Sequence, residues 1–148
     1  MQFILEEIIN VILCKIVQFI MMVSVKKYYK YKDLEYKIVR VLVENAIYYF
    51  NPLQLAECSD DEIVKYNNIS EKTRAIAAEL RAYSEILPLL PWTKSYKKRL
   101  NDASSYLIGL SNGLYKPYNI KKTKTAEINR IFYDNVMQNL NIRKEIQN

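Results

Sequence analysis

The residues that could do chemistry are few and far apart in this sequence. The chain of 148 residues has no histidine, which excludes imidazole acid–base catalysis, histidine-activated nucleophiles and histidine-ligated zinc. It has 2 glycines, too few for a glycine-rich loop that cradles a phosphate. Of its 2 cysteines, Cys14 lies in an apolar run and Cys58 in a polar segment. Both are interpreted as reduced thiols in a reducing compartment, and neither predicts a metal site.

The charged residues offer two weaker possibilities for chemistry. Asp60, Asp61 and Glu62 could hold a cation, although adjacent carboxylates at a helix start more often oppose the helix dipole. A small enzyme based on carboxylates would need charged side chains from separate helices to converge in one pocket; the candidates are Glu44, Glu79, Arg81 and Glu85. Neither possibility carries a recognisable motif, so we expect no enzymatic activity, no cofactor and no metal.

Composition and charge indicate the class of protein. With 2 glycines and 4 prolines, the chain lacks the turn residues that a β-sandwich or barrel requires. The net charge of +6 is unevenly spread, because residues 1–25 sum to −1 and the remainder carries +7. A basic body favours anionic partners such as phospholipid headgroups, nucleic acid or an acidic protein. The 13 tyrosines are scattered rather than gathered on one base-stacking platform, so nucleic acid is the minor alternative.

An apolar run occupies residues 8–25, IINVILCKIVQFIMMVSV, in which fourteen of eighteen residues are apolar. Eighteen helical residues rise about 27 Å, close to the ~30 Å thickness of the hydrocarbon layer. The strongly apolar side chains contribute roughly −5 kcal/mol to insertion, against about +2.5 to +3.5 kcal/mol for Lys15. The run predicts a transmembrane anchor helix within residues 1–25. The alternative is the core helix of a soluble bundle.

The polar residues of this segment share one side of the predicted helix. At about 100° per residue, Glu7, Asn10, Cys14 and Gln18 fall within a sector of about 80°, with Lys15 just beyond it. Amide side chains can form hydrogen bonds across a helix interface in lipid. We expect this polar stripe to mediate helix association, either with another copy of the chain or with a protein partner.

A basic and aromatic collar follows the apolar run. Residues 26–33 begin KKYYKYK, and the collar comprises Lys26, Lys27, Tyr28, Tyr29, Lys30, Tyr31 and Lys32. Lysines attract anionic headgroups, and tyrosines prefer the depth of the membrane interface. The positive-inside rule places this collar in the cytoplasm and the acidic end, with Glu6 and Glu7, outside. The alternative for the collar is a solvated helix start.

The remainder of the chain predicts four helices in a small domain, residues 34–140, followed by a flexible tail, 141–148. The first runs from Leu34 to Phe50, with Asp33 as N-cap and Asn51-Pro52 as its end. Ser59 to Glu62 fits a capping box, which predicts a helix start. Asn67-Asn68 interrupts the helical pattern, and Ser70 offers a second N-cap for a helix up to Leu87. Two more helices are predicted at about 94–112, with Thr93 as N-cap and Asn112-Gly113 as a C-cap signal, and at about 125–140. The fold class is therefore all-α, a transmembrane helix followed by a four-helix cytoplasmic domain.

Two further features stand out in this domain. Residues 86–92, ILPLLPW, followed by four basic residues within TKSYKKR, repeat the chemistry of the collar. We expect this elbow, and Trp92 in particular, to touch the same membrane face, or else simply to cover one end of the core. Ser105 and Gly109 are four residues apart, which would let another helix approach closely.

Two stretches carry a resemblance to known proteins. They are Thr73–Ala82, TRAIAAELRA, and Ala103–Leu114, ASSYLIGLSNGL, within about residues 70–115. The pair resembles uncharacterised small bacterial proteins that have an amino-terminal membrane anchor and a late LIGLSN segment. The resemblance implies a membrane-associated bacterial protein, and it implies no activity and no catalytic residue.

These observations predict a single-pass protein of the cell membrane with most of its chain in the cytoplasm. Its helical domain would bind another protein or itself, and its anchor would lie in a bilayer with anionic headgroups. The alternative is a soluble helical bundle that acts as an adaptor or a nucleic-acid-binding protein.

Overall fold

The computed structural model of the chain describes residues 2–54, 58–88, 91–115 and 121–142. Within them the prediction of an all-α fold is confirmed, with two compact units, residues 1–33 and 34–148. The described residues form five helices: α1 (Gln2–Glu44), α2 (Ala46–Phe50), α3 (Asp60–Glu85), α4 (Pro91–Asn112) and α5 (Lys122–Asn139).

Helix α1 neither starts anew nor breaks in the collar, so Asp33 is a helical residue and not an N-cap. A break occurs instead at Asn45, whose side-chain amide donates a 2.8 Å hydrogen bond to the Val41 carbonyl oxygen. The turn at Asn45 changes which positions of the apolar pattern face the core. Leu34, Ile38 and Leu42 are buried before the turn, whereas after it Tyr49 is buried and Ile47 is exposed.

Helix α3 starts where the capping box predicts. The Ser59 hydroxyl accepts a hydrogen bond from the Glu62 backbone amide, and the Glu62 carboxylate accepts one from the Ser59 amide. These bonds from Ser59 hold the pKa of the Glu62 carboxyl below its usual range. The reciprocal bonds satisfy two backbone groups that a helix start otherwise leaves without partners.

The predicted interruption of α3 at Asn67-Asn68 is wrong, and so is the N-cap at Ser70. Both asparagines face solvent, so their side chains leave the backbone ladder intact. Around them Tyr66, Ile69 and Ser70 are buried on the other face. Burial of that face outweighs the low helix propensity of the asparagines, which is a few tenths of a kcal/mol each.

Helix α4 packs against both α3 and α5, while α2 packs on α5. A stripe of apolar residues at helical spacing is buried; it consists of Leu100, Ala103, Leu107, Leu110 and Leu114. The helix begins at Pro91, so Thr93 lies in the first turn and is not the N-cap. Gly113 does not adopt the left-handed conformation of a glycine C-cap. Its amide instead continues the helical pattern with a 2.9 Å hydrogen bond to the Gly109 carbonyl oxygen.

The end of α5 uses two residues that the sequence places in the tail. Asn141 has a φ of 59°, and its amide donates to the Gln138 carbonyl oxygen at 3.1 Å. The Ile142 amide donates to the Met137 carbonyl oxygen at 3.0 Å, and the Ile142 side chain is buried. This is a Schellman motif with asparagine at the left-handed position. The domain core therefore extends to residue 142.

Candidate membrane-anchoring helix

The first unit consists of α1 residues whose apolar side chains are exposed. Large apolar side chains from Ile8 to Val25 are between 47% and 63% exposed on every side of the helix: Ile8, Ile9, Val11, Ile12, Leu13, Ile16, Val17, Phe19, Ile20, Met21, Met22 and Val25. Within the described residues, α1 is the one helix long and apolar enough to cross a membrane, by length and composition. None of the apolar window of this span is buried among the described residues.

The polar stripe is exposed along its length. Glu7, Asn10, Cys14 and Gln18 all reach the surface of α1, as does Lys15 on the adjoining side. The side-chain amides of Asn10 and Gln18 make no hydrogen bond with the described residues of the chain. A polar surface is thus available on an otherwise apolar helix.

The collar continues the same helix. Tyr28 and Tyr29 are exposed, and their rings meet edge to face with centroids 5.9 Å apart. Lys26 and Lys30 are exposed, while Lys27, Tyr31 and Lys32 are half-buried. On a straight helix Lys26, Lys27 and Lys30 fall within a sector of about 100°, whereas the tyrosines project on the other side. The collar therefore presents three lysines on one side, and the tyrosines together with Lys32 on the other.

Residues 93–99 form a second basic segment, and two of its four basic residues make contacts inside the domain. Lys97 forms a 2.8 Å ion pair with Glu85, and this contact lowers the pKa of the Glu85 carboxyl. Arg99 donates from Nε and Nη2 to the Asn139 carbonyl oxygen at 3.0 and 2.6 Å, at the end of α5. Lys94 and Lys98 remain exposed. Trp92 belongs to the first turn of α4, but its side chain lies outside the described part of the chain.

The pair predicted for close helix packing divides into two different positions. A Cβ on Gly109 would lie 2.7 Å from the Phe132 ring of α5, so this residue stands against another helix. Ser105 is exposed, and its hydroxyl donates to the Asn101 carbonyl oxygen of its own helix at 3.0 Å. The contact between α4 and α5 thus involves Gly109 and not Ser105.

The charged candidates for catalysis do not converge. All are exposed, and three of them form separate surface ion pairs: Glu44 with Arg40, Glu79 with Lys37, and Glu85 with Lys97. Arg81 is exposed on α3. Among the described residues no three Asp, Glu or Cys side chains could hold a metal ion together. Asp60 and Asp61 lie in the first turn of α3, where they oppose the helix dipole.

A polar network in the domain core escaped the sequence analysis. The Tyr49 hydroxyl is 2.7 Å from Thr73 Oγ1, and the Asn129 amide donates to the carbonyl oxygens of Tyr49 and Gly113, each at 2.7 Å. Ser70 and Ser111 share a buried 2.7 Å hydrogen bond between α3 and α4. The one sequence signal was the low apolar count on the face of α5 that carries Thr125 and Asn129. The network fixes the positions of the helices, and the side-chain groups that form it are hydroxyls and one amide.

Comparison with known proteins found no relative of this chain. No family model matches the chain, no curated protein matches its sequence, and no solved structure matches its fold.

Proposed function

We propose that this chain is a single-pass membrane protein whose helical domain is a non-enzymatic interaction module at the cytoplasmic membrane face. The observation that carries the proposal is the exposure of large apolar side chains all round α1 between Ile8 and Val25. The anchor lies within residues 1–25, the collar comprises residues 26–33, and the domain begins at Leu34.

Exposure of the apolar side chains of α1 to water is unfavourable, and insertion into a membrane would relieve it. Fully burying one large apolar side chain is worth about 1.5–3 kcal/mol, so twelve half-exposed ones represent on the order of 10 kcal/mol. Soluble proteins rarely expose contiguous apolar patches larger than a few hundred Å². A hydrocarbon layer removes this cost, and an α-helix satisfies its own backbone groups there.

The collar supports a defined orientation. Tyr28 and Tyr29 carry exposed rings directly after the apolar run, at the position where interfacial aromatics stabilise a span. Lys26 and Lys30 are exposed beside them and suit anionic headgroups. Under the positive-inside rule the domain that follows is cytoplasmic.

The domain supports an interaction role rather than catalysis. Several of its buried polar side chains bond to one another or to backbone atoms of neighbouring helices, as Ser104 does with the Ala77 carbonyl oxygen at 2.9 Å, while Thr125 Oγ1 and Asn129 Oδ1 have no partner among the described residues. Its ion pairs between side chains lie at the surface, where such pairs contribute little to stability. The bacterial origin implied by the LIGLSN resemblance stays a prediction.

Fractionation of the full-length protein tests the proposal. We expect the chain to pellet with membranes and to resist extraction by high salt and by alkaline carbonate. In a matched variant, Ile12→Asp with Ile20→Asp places two charges in the span, at about 3 kcal/mol each, and carbonate should release it. Lys15→Leu is the converse control and should tighten anchoring. Carbonate release of the unaltered protein would contradict the proposal, and a salt-dependent gel shift with nucleic acid would favour the soluble alternative.

A further inference from the structure

We propose that the anchor helix pairs in parallel with a second copy of this chain along the polar stripe. This inference rests on the proposed membrane anchoring and names the partner of the anchor. In the symmetric pair, Asn10 and Cys14 of one copy lie against the same residues of the other copy, and Gln18 lies beside this contact.

The first reason is the position of two amides in the hydrocarbon layer. Gln18 lies about 2 Å, and Asn10 about 10 Å, from the middle of the 8–25 span along the helix axis. Neither side-chain amide has a hydrogen-bond partner among the described residues, and both are exposed. Water is absent at that depth, so an amide gains a partner only from another helix. An amide side chain both donates and accepts hydrogen bonds, so each of these residues can bond to an amide side chain of the second copy.

The second reason is the spacing of the stripe. Glu7, Asn10, Cys14, Val17, Met21 and Ser24 follow one another at alternating intervals of three and four residues. This is the seam of a left-handed helix pair, in which each position meets its equivalent when the helices are parallel. Three positions of the seam carry small or polar residues, namely Asn10, Cys14 and Ser24. Such residues allow two membrane helices to approach each other closely.

The third reason is the distribution of charge around α1. Lys26, Lys27 and Lys30 fall within a sector of about 100° whose centre lies about 170° from the centre of the stripe, and Lys15 lies about 100° from that centre. A parallel pair along the stripe therefore keeps these cations apart and directs them outward. Lys32 is on the stripe side, but it lies in the collar, where salt screens repulsion.

Orientation follows from the collar. Each copy carries the same four lysines after the span, so each inserts with the same end in the cytoplasm. An antiparallel pair would place one collar on each side of the bilayer. The pairing is accordingly parallel, and it brings the two Glu7 carboxylates near each other at the outer end.

Disulfide trapping at Cys14 tests the pairing. The full-length chain with Cys58→Ser carries a single thiol, and it is placed in vesicles of phosphatidylcholine and phosphatidylglycerol and oxidised with copper–phenanthroline. We expect a covalent dimer on a non-reducing gel. The matched control moves the thiol with Cys14→Ser and Ile16→Cys, at nearly the same depth but about 160° from the stripe centre. We expect little dimer from it.

Two further variants separate specific pairing from collision. Asn10→Leu with Gln18→Leu should lower the yield of the Cys14 dimer about three- to thirtyfold, while the more apolar helix stays resistant to carbonate. Glu7→Gln removes a repulsion and should raise the yield or leave it unchanged. Equal yields from positions 14 and 16, or a fall in Glu7→Gln, would overturn the pairing.

Failure of the pairing and failure of the anchor give different results. A carbonate-resistant protein that yields no Cys14 dimer overturns the pairing and leaves the anchor in place. A protein that carbonate extracts overturns both.

Discussion

Asn129 on α5 fits against Gly113 so closely that no other residue could replace the glycine without movement. The Asn129 amide nitrogen donates to the Gly113 carbonyl oxygen at 2.7 Å, and a Cβ on residue 113 would lie 1.8 Å from Asn129 Oδ1. Asn129 is fully buried and also donates to the Tyr49 carbonyl oxygen. One side chain thus ties α2, the end of α4 and α5 together, and a glycine makes room for it.

Gly113→Ala should therefore destabilise the domain strongly. The new methyl group would overlap the oxygen of an amide group whose nitrogen donates two hydrogen bonds that hold the group in place. Overpacking with a lost hydrogen bond costs about 2–4 kcal/mol. The measurement is the free energy of unfolding from urea titration in detergent micelles, followed by circular dichroism.

Gly109→Ala is the matched control for that experiment. Its Cβ would meet the outer edge of the Phe132 ring at 2.7 Å, and that half-buried ring is the far end of a side chain that can turn away. Alanine also gains about 1 kcal/mol of helix propensity, so the net change should stay below about 1 kcal/mol. A loss at Gly113 no larger than that at Gly109 would show that Asn129 can move.

The buried pair of Ser70 and Ser111 should couple α3 to α4. Ser111 Oγ donates to the Ser70 carbonyl oxygen at 3.1 Å, so the Ser70 hydroxyl donates in the 2.7 Å bond between the two oxygens. Each single change to alanine should cost about 1 kcal/mol, and the double change less than the sum. The coupling energy from a double-mutant cycle of urea unfolding is the test, and strict additivity would contradict the coupling.

Alkaline pH should weaken the domain through Tyr49. Burial raises the pKa of the Tyr49 hydroxyl from 10.0 to about 12. Between these values the unfolded chain loses the proton while the folded chain keeps it. The stabilising contribution is thus present below pH 10 and is lost as the pH rises towards 12, with a size of roughly 2–3 kcal/mol.

Tyr49→Phe isolates this contribution. The variant loses the hydrogen bond to Thr73 and is less stable at pH 8 by about 1 kcal/mol. Its stability should nevertheless fall less steeply than that of the unaltered protein between pH 10 and 12. Parallel curves for the two proteins in urea unfolding across that range would show that Tyr49 does not control the alkaline transition.

The collar lysines should determine which side of the membrane the domain occupies. Replacing Lys26, Lys27, Lys30 and Lys32 with glutamine removes about 1 kcal/mol of headgroup attraction per lysine and the charge bias across the span. We expect a mixed or inverted orientation, measured by protease protection of the domain. A control with the same loss of charge far from the span uses exposed lysines of the domain: Lys94, Lys98, Lys121 and Lys124. An unchanged orientation in the collar variant would contradict the positive-inside assignment.

Features set by local chemistry could be predicted from the sequence. The Ser59–Glu62 capping box needs only residues three apart, and it starts α3 as expected. The leucines of α4 recur at helical spacing, and their whole stripe is buried. The apolar run of α1 is a property of consecutive residues, so it can be recognised without knowing any contact with distant parts of the chain.

Features set by distant contacts could not be predicted. On α5 the apolar Ile131 is exposed, while the buried side of the helix carries the polar residues Thr125 and Asn129. Asn129 is accommodated in the core because its amide donates hydrogen bonds to the carbonyl oxygens of Tyr49 and Gly113. Those two residues are 80 and 16 positions away in the sequence. Likewise Asn67-Asn68 continue a helix because Tyr66 and Ile69 are buried beside them.

The sequence by itself thus determined the helical class, the apolar segment and its collar, and the helix start at Ser59, because backbone bonds and solvent preference act over a few neighbouring residues. Only the tertiary structure decided which polar side chains lie inside, where α1 gives way to α2, and why residue 113 is glycine. Those depend on close packing, in which a single Cβ placed 1.8 Å from a buried oxygen outweighs any local propensity.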